Sequence, residues 1–198
     1  MSFITSKSDF DHLVGRSAEI FGVKPPGLPE LTFASSLDVF RVVEFDVMFT
    51  RSFWRFLVAL AQEAGDSSIA LLVREPDPVA YFDHFGRYGC LQFPLTTSPD
   101  EVNAVIRAGP GGSTADSVFH VGNVVSWFGD RGAWGVWGDR NLGIAIVAID
   151  AGKVRWPGDS IDWFTIDQAM RELVPLTFKN RIVPPNINQR LRKAYDNG

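Results

Sequence analysis

The chain has a single cysteine, Cys90, only three histidines, and no apolar run long enough to cross a bilayer. One cysteine excludes an intrachain disulfide and any zinc site built from cysteine pairs, and it suits a reducing compartment. His12, His84 and His120 are never four residues apart, so a helical metal-binding pair is excluded as well. The longest aliphatic stretch, "IAIVAI" at 144–149, falls far short of the ~20 residues a spanning helix needs. The opening "MSFITSKSDFDHLVGRS" contains acids and lacks the apolar centre of a secretory signal. Charge of one sign is scarce too: 19 Lys and Arg face 23 Asp and Glu, for a net charge of −4. That balance lacks the basic excess of a dedicated nucleic-acid binder. The sequence therefore predicts a cytoplasmic protein with no membrane contact, no nucleic-acid partner, no metal site and no cofactor. It fixes no oligomeric state.

Aromatic residues are what the chain has in excess. Six Trp and sixteen Phe contribute to a hydrophobic fraction of 45% over 198 residues. A chain of this length buries roughly 70% of its unfolded surface, so one domain over 1–198 with a large core is expected. Residues 8–22 read as a helix capped by Ser8 and stopped by Gly22. "VKPPGLPEL" at 23–31 is a proline-rich connector. The alternation in "DVFRVVEFDVMF" predicts a half-buried strand over 38–49. "RSFWRFLVALAQEAGD" at 51–66 places Phe53, Phe56, Leu57, Leu60 and Ala64 on one helical face. "SIALLVRE" at 68–75 reads as a short buried strand, followed by a short element at 79–85 and a strand near 88–93. Ser98, Pro99 and Glu101 spell a capping box for a helix over 98–109. Further helices are expected near 165–174 and, as a C-terminal tail, from about 185.

Between them lies "SWFGDRGAWGVWGDRNLGIAIVAID", Ser126 to Asp150, in which "FGDR" and "WGDR" recur nine residues apart. Three strand-like runs, "VFHVGNVVSWF", "AWGVWG" and "LGIAIVAI", are separated by the Asp and Gly types that turns favour. The pattern predicts a β-meander around 118–150, whose last strand, apolar on both parities, needs cover on both faces. The predicted class is α+β: an antiparallel sheet with helices packed on one face. On a meander Asp130 and Asp139 sit at opposite ends of one strand. That strand spans about 17–20 Å at ~3.3 Å per residue, too far apart for a catalytic carboxylate pair.

Two kinds of function fit these residues. If Trp137 stands partly exposed beside the turn pairs Asp130–Arg131 and Asp139–Arg140, it has the composition of an interface centre, an aromatic anchor among arginines. If instead polar groups converge between helices and sheet, the candidates for an enzyme or small-ligand pocket are Glu44, Asp46, His84, Cys90 and His120. Cys90 lies six residues from His84, but no local signature marks it as a nucleophile.

The aromatic meander "AWGVWGDRNLGIAIVAID", on a small, cysteine-poor, acidic α+β chain, resembles the orphan immunity proteins of bacterial polymorphic toxin systems. "EIFGVKPPGLPEL" is similar to the helix-and-proline opening of the SMI-type immunity superfamily, whose pattern the middle of the chain does not follow. The resemblance implies a non-catalytic binder that neutralises a cognate toxin by direct contact. Asp130, Arg131, Trp137, Asp139 and Arg140 would then be the interaction residues. An acidic inhibitor suits a basic toxin, because complementary charge raises the association rate.

Overall fold

A computed structural model of the protein describes residues 2–25, 27–158 and 160–195. Seven antiparallel strands form one open sheet in the order β1-β4-β3-β5-β6-β7-β2. In chain order they are β1 (Ser2–Phe3), β2 (Val39–Glu44), β3 (Ser68–Glu75), β4 (Cys90–Pro94), β5 (Val124–Gly129), β6 (Trp134–Asp139) and β7 (Ile144–Ile149). The expected meander is β5-β6-β7 at the centre. β3 and β4 extend it on one side and β2 closes the other.

Helices cover both faces of this sheet, which corrects the expectation of one covered face. On the first face lie α2 (Arg51–Ala64) and α4 (Pro99–Arg107), packed over a core that includes Phe53, Leu57, Leu71, Trp127, Trp134 and Val147. On the second lie α1 (Lys7–Phe21), α6 (Ile166–Glu172) and α7 (Pro185–Tyr195), over Phe21, Leu72, Phe128, Trp137, Ile146 and Tyr195. The strands dictate this: every residue of β7, and Ser68 to Val73 of β3, is buried whichever way it points. Each face therefore carries apolar side chains that only a packed layer can remove from water.

Local chemistry sets the element ends. Ser6, two residues earlier than expected, caps α1 by accepting from the Asp9 amide at 3.3 Å. The predicted strand over 38–49 stops at Glu44, and Phe45–Phe49 winds into a 3₁₀ turn. Phe45, Met48 and Phe49 all bury in the first core, and their i, i+3, i+4 spacing puts them on one side only if the chain is helical there. Thr50 then caps α2, and Gly65, in the left-handed region at φ 72°, ends it. Ser98 and Glu101 form the capping box of α4 as its spacing predicts. The first meander run also begins differently: Val118–Val121 is a helical turn, α5, which puts His120 on a helix and not on a strand. The short element α3 (Pro78–Phe85) fills the link between β3 and β4. Among the described residues, no helix is long and apolar enough to cross a membrane.

Candidate functional site

Each "GDR" triplet spans a strand end and the start of the turn after it, and its acid and arginine have internal tasks. At the first, the carboxylate of Asp66, in the α2–β3 turn and 7% exposed, sits directly against Gly129. A Cβ at Gly129 would lie 2.0 Å from Asp66 Oδ2, so only glycine fits there. Asp66 Oδ1 accepts from the Arg131 amide at 2.7 Å, and Oδ2 accepts from Trp134 Nε1 at 2.7 Å. Asp130 accepts from the Ser67 amide at 3.0 Å and from the Ser67 hydroxyl. The Arg131 side chain donates to the Gly65 carbonyl at 3.3 Å. Burial, and then a hydrogen bond with Asp130, push the Asp66 carboxyl up to about 6. For Asp130 burial acts upward, but the bonds from Asp66 and Ser67 outweigh it and hold the carboxyl low.

At the second turn, Asp139 Oδ1 accepts from the amides of Asn141, at 2.9 Å, and Leu142, at 3.3 Å. Arg140 donates to the carbonyls of Phe119, at 2.6 Å, and Gly122, at 3.2 Å. It also lies 4.5 Å over the Phe45 ring and pairs with Asp46 at 3.5 Å. β6 separates Asp130 from Asp139: the β5 register pairs Asp139 with Val124 at one end, while Gly129 pairs with Ile69 at the other. The expectation that Trp137 is partly exposed is corrected. It is 3% exposed, packed against Phe21 with ring centroids 5.4 Å apart, because α1 covers that face.

The enzyme candidates are dispersed. Cys90 is fully buried, and burial pushes its thiol up to about 12, so no thiolate forms near neutrality. His84, near the end of α3, stands edge-on to Phe85. The Nδ1 of His120 is shared between the Ser117 hydroxyl and the Thr114 carbonyl, at 2.8 and 3.0 Å. Glu44 lines a separate cavity of about 320 Å³ with Thr50, Ser160 and Asp162. Among the described residues, no group of three or more His, Cys, Asp or Glu is placed to hold a metal ion.

A different set of residues does converge. Where β3, β5 and β6 end together, α1 and the proline connector wall off a cavity of about 550 Å³. Its apolar lining includes Phe10, Val14, Leu28 and Trp137, and its polar lining is Arg74, Glu75, Asp77 and Asp139. Arg74 is central. It follows Ala70 and Leu72 on the parity of β3 that faces α1. Its guanidinium lies beside a pair of touching rings, 5.3 Å from the Phe21 centroid and 5.2 Å from that of Trp137. Nε donates to the Ser126 hydroxyl at 3.0 Å, and Ser126 passes the bond on to the Leu72 carbonyl at 3.4 Å. Arg74 Nη2 is buried without a partner, and so is Trp137 Nε1. Among the described residues Arg74 makes no ion pair. Burial pulls its basicity down to about 10, which still leaves it charged at neutral pH.

Two acids of the same cavity, Glu75 and Asp77, are exposed. Asp77 caps α3, accepting from the Val79 and Ala80 amides at 2.8 and 3.2 Å. Burial raises the Asp139 carboxyl, and the charge of Glu75 raises it further. Sequence reading placed Arg74 only as the end of a buried strand. The available signal was a charged residue on the parity of Ala70 and Leu72, which a strand covered on both faces must carry inward.

Comparisons of the chain with protein-family models, with curated proteins and with solved structures give no match.

Proposed function

We propose that this protein works by binding, and that the Arg74 cavity is its recognition site for a small organic ligand bearing an anionic or strongly accepting group. The observation that carries this reading is the guanidinium against the Phe21 and Trp137 rings, with Nη2 unpartnered and, among the described residues, no counter-charge. Burying an unpaired charge costs several kcal/mol after relaxation, so such a group is retained where its partner arrives from outside the chain. The volume, about 550 Å³, falls within the ~300–1,000 Å³ of small-molecule sites. The test is calorimetric titration of 3-phenylpropanoate into wild type and Arg74→Met. Binding by wild type that is lost in the variant supports the reading. Equal heats from both proteins would sink it.

A second reading, the immunity-type one, is favoured by the mouth of the same cavity. Val79, 50% exposed, stands there beside the acids Glu75 and Asp77. An exposed valine with an acidic margin, on a chain of net charge −4, is suited to a basic protein surface. In this reading the protein neutralises a cognate toxin in a bacterial cytoplasm, and the toxin seats an acceptor group against Arg74. Co-expression with a toxin domain encoded beside it checks this: rescue of growth should weaken with Glu75→Lys and Val79→Asp. Rescue untouched by both changes would remove this surface from the interface.

A further inference from the structure

The cavity is lined by groups of both signs, and among the described residues none of them makes an ion pair. One set is of donors: Arg74, whose Nη2 is unpartnered, and Nε1 of Trp137, also unpartnered. The other set is of acids: Glu75, which is exposed, and Asp139, one oxygen of which accepts from the Asn141 and Leu142 amides. Arg74 and the acids do not neutralise one another by direct pairing, although all three line one space. A simple anion would satisfy the first set and be repelled by the second; a simple cation would do the reverse. An inorganic ion of either sign would also leave most of a cavity of about 550 Å³ filled only by water, at ~30 Å³ per molecule.

We propose that the ligand is a zwitterionic amino carboxylate with an apolar side chain, bound with its carboxylate at Arg74 and Trp137 and its ammonium at Glu75 and Asp139. This rests on the reading of the cavity as the recognition site. The two charged groups of an α-amino acid are held at fixed separation on one carbon, so they address both sets with little ordering cost. The guanidinium presents N–H donors in a fork that matches a carboxylate, and the indole N–H adds one more. Phe10, Val14 and Leu28 supply an apolar wall for the side chain. Glu75 and Asp139 weaken the binding of plain carboxylic acids by repulsion without abolishing it, so selectivity has a repulsive element as well as an attractive one.

The experiment is isothermal titration of three probes that share a phenyl ring: phenylalanine, 3-phenylpropanoate, which lacks the ammonium, and phenethylamine, which lacks the carboxylate. Phenylalanine should bind at least tenfold more tightly than either analogue. In a Glu75→Gln/Asp139→Asn double variant, the preference for phenylalanine over 3-phenylpropanoate should fall to within about threefold. The asparagine retains the acceptor for the Asn141 and Leu142 amides, so the turn is preserved. Arg74→Met should abolish binding of phenylalanine and 3-phenylpropanoate alike. If 3-phenylpropanoate binds as tightly as phenylalanine, the zwitterion inference is overturned while the Arg74 site stands. If none of the three binds at about 10 mM, the inference is likewise overturned. The fate of the site itself is then decided separately, by the effect of Arg74→Met on the stability of the free protein.

Discussion

Replacing Arg74 by methionine should leave the stability of the free protein almost unchanged, although it removes every contact of the guanidinium. Burial moves the basicity of Arg74 from its ordinary value to about 10. At about 1.4 kcal/mol per tenfold change in proton affinity, the charged form is disfavoured by about 3 kcal/mol. The penalty is full at every pH below about 10, since a base with a depressed value loses stability wherever it is charged. Against it stand the bond from the charged Nε to Ser126, about 1.5 kcal/mol, and the two ring contacts, about 1 kcal/mol each. Methionine keeps an apolar stem of similar length, and Ser126 keeps the Leu72 carbonyl as its acceptor. The two sides cancel to within about 1 kcal/mol, so Tm should move by no more than roughly 3 °C for a chain of this size. Urea unfolding at neutral pH, followed by tryptophan fluorescence, measures it. A loss of more than about 1 kcal/mol would mean that the guanidinium holds the fold together, and the argument that it awaits a partner would fail.

Other perturbations probe the two turns and the cysteine. Gly129→Ala should destabilise by about 3 kcal/mol, because its Cβ meets a carboxylate fixed by two hydrogen bonds. Gly138→Ala should cost less than half of that, since the obstructing atoms are the flexible end of Met48; equal losses in urea unfolding would contradict this account of the close approach. Asp66 has a folded value near 6, above its unfolded value, so the folded state binds the extra proton between about pH 4 and about pH 6. Its contribution to stability is therefore present in acid and lost as pH rises through that window. Asp130, held low, acts in the opposite sense at lower pH. Asp66→Asn should flatten the decline of Tm across the window, and parallel profiles for the two proteins would refute the assignment. The thiol of Cys90 should react with an aromatic disulfide reagent only at the rate of unfolding, because it is buried and pushed up to about 12. Rapid labelling of the native protein would show that the strand is open.

Sequence alone revealed the elements whose signals are local. α4 is written in Ser98, Pro99 and Glu101, α2 in its apolar spacing and Gly65, and the meander in its turn residues. What it missed depends on neighbours distant along the chain. Phe45–Phe49 alternates well enough for a strand, yet Phe45, Met48 and Phe49 all belong in one core layer and so coil together. The apolar parities of β7 required cover on both faces, a requirement that outweighs the simpler picture of one helical layer. The glycine–acid–arginine turns drew notice as a surface motif. Their partners, Asp66 and Ser67 in one case and Phe119, Gly122 and Asp46 in the other, lie far away in sequence. Arg74 gave almost no signal, because one charged residue at the end of a strand is ordinary until the opposite wall is known.

The central claim is that the Arg74–Trp137 cavity receives a ligand, and the indole N–H of Trp137 reports on it directly. In a nitrogen–proton correlation spectrum, the Nε1 signal of Trp137, without a hydrogen-bond partner in the free protein, should move downfield on titration with phenylalanine. The signals of Trp127 and Trp134, on the opposite face of the sheet, should stay in place, and the shift should vanish in Arg74→Met. A Trp137 signal that does not respond, or that responds equally without Arg74, would contradict the account.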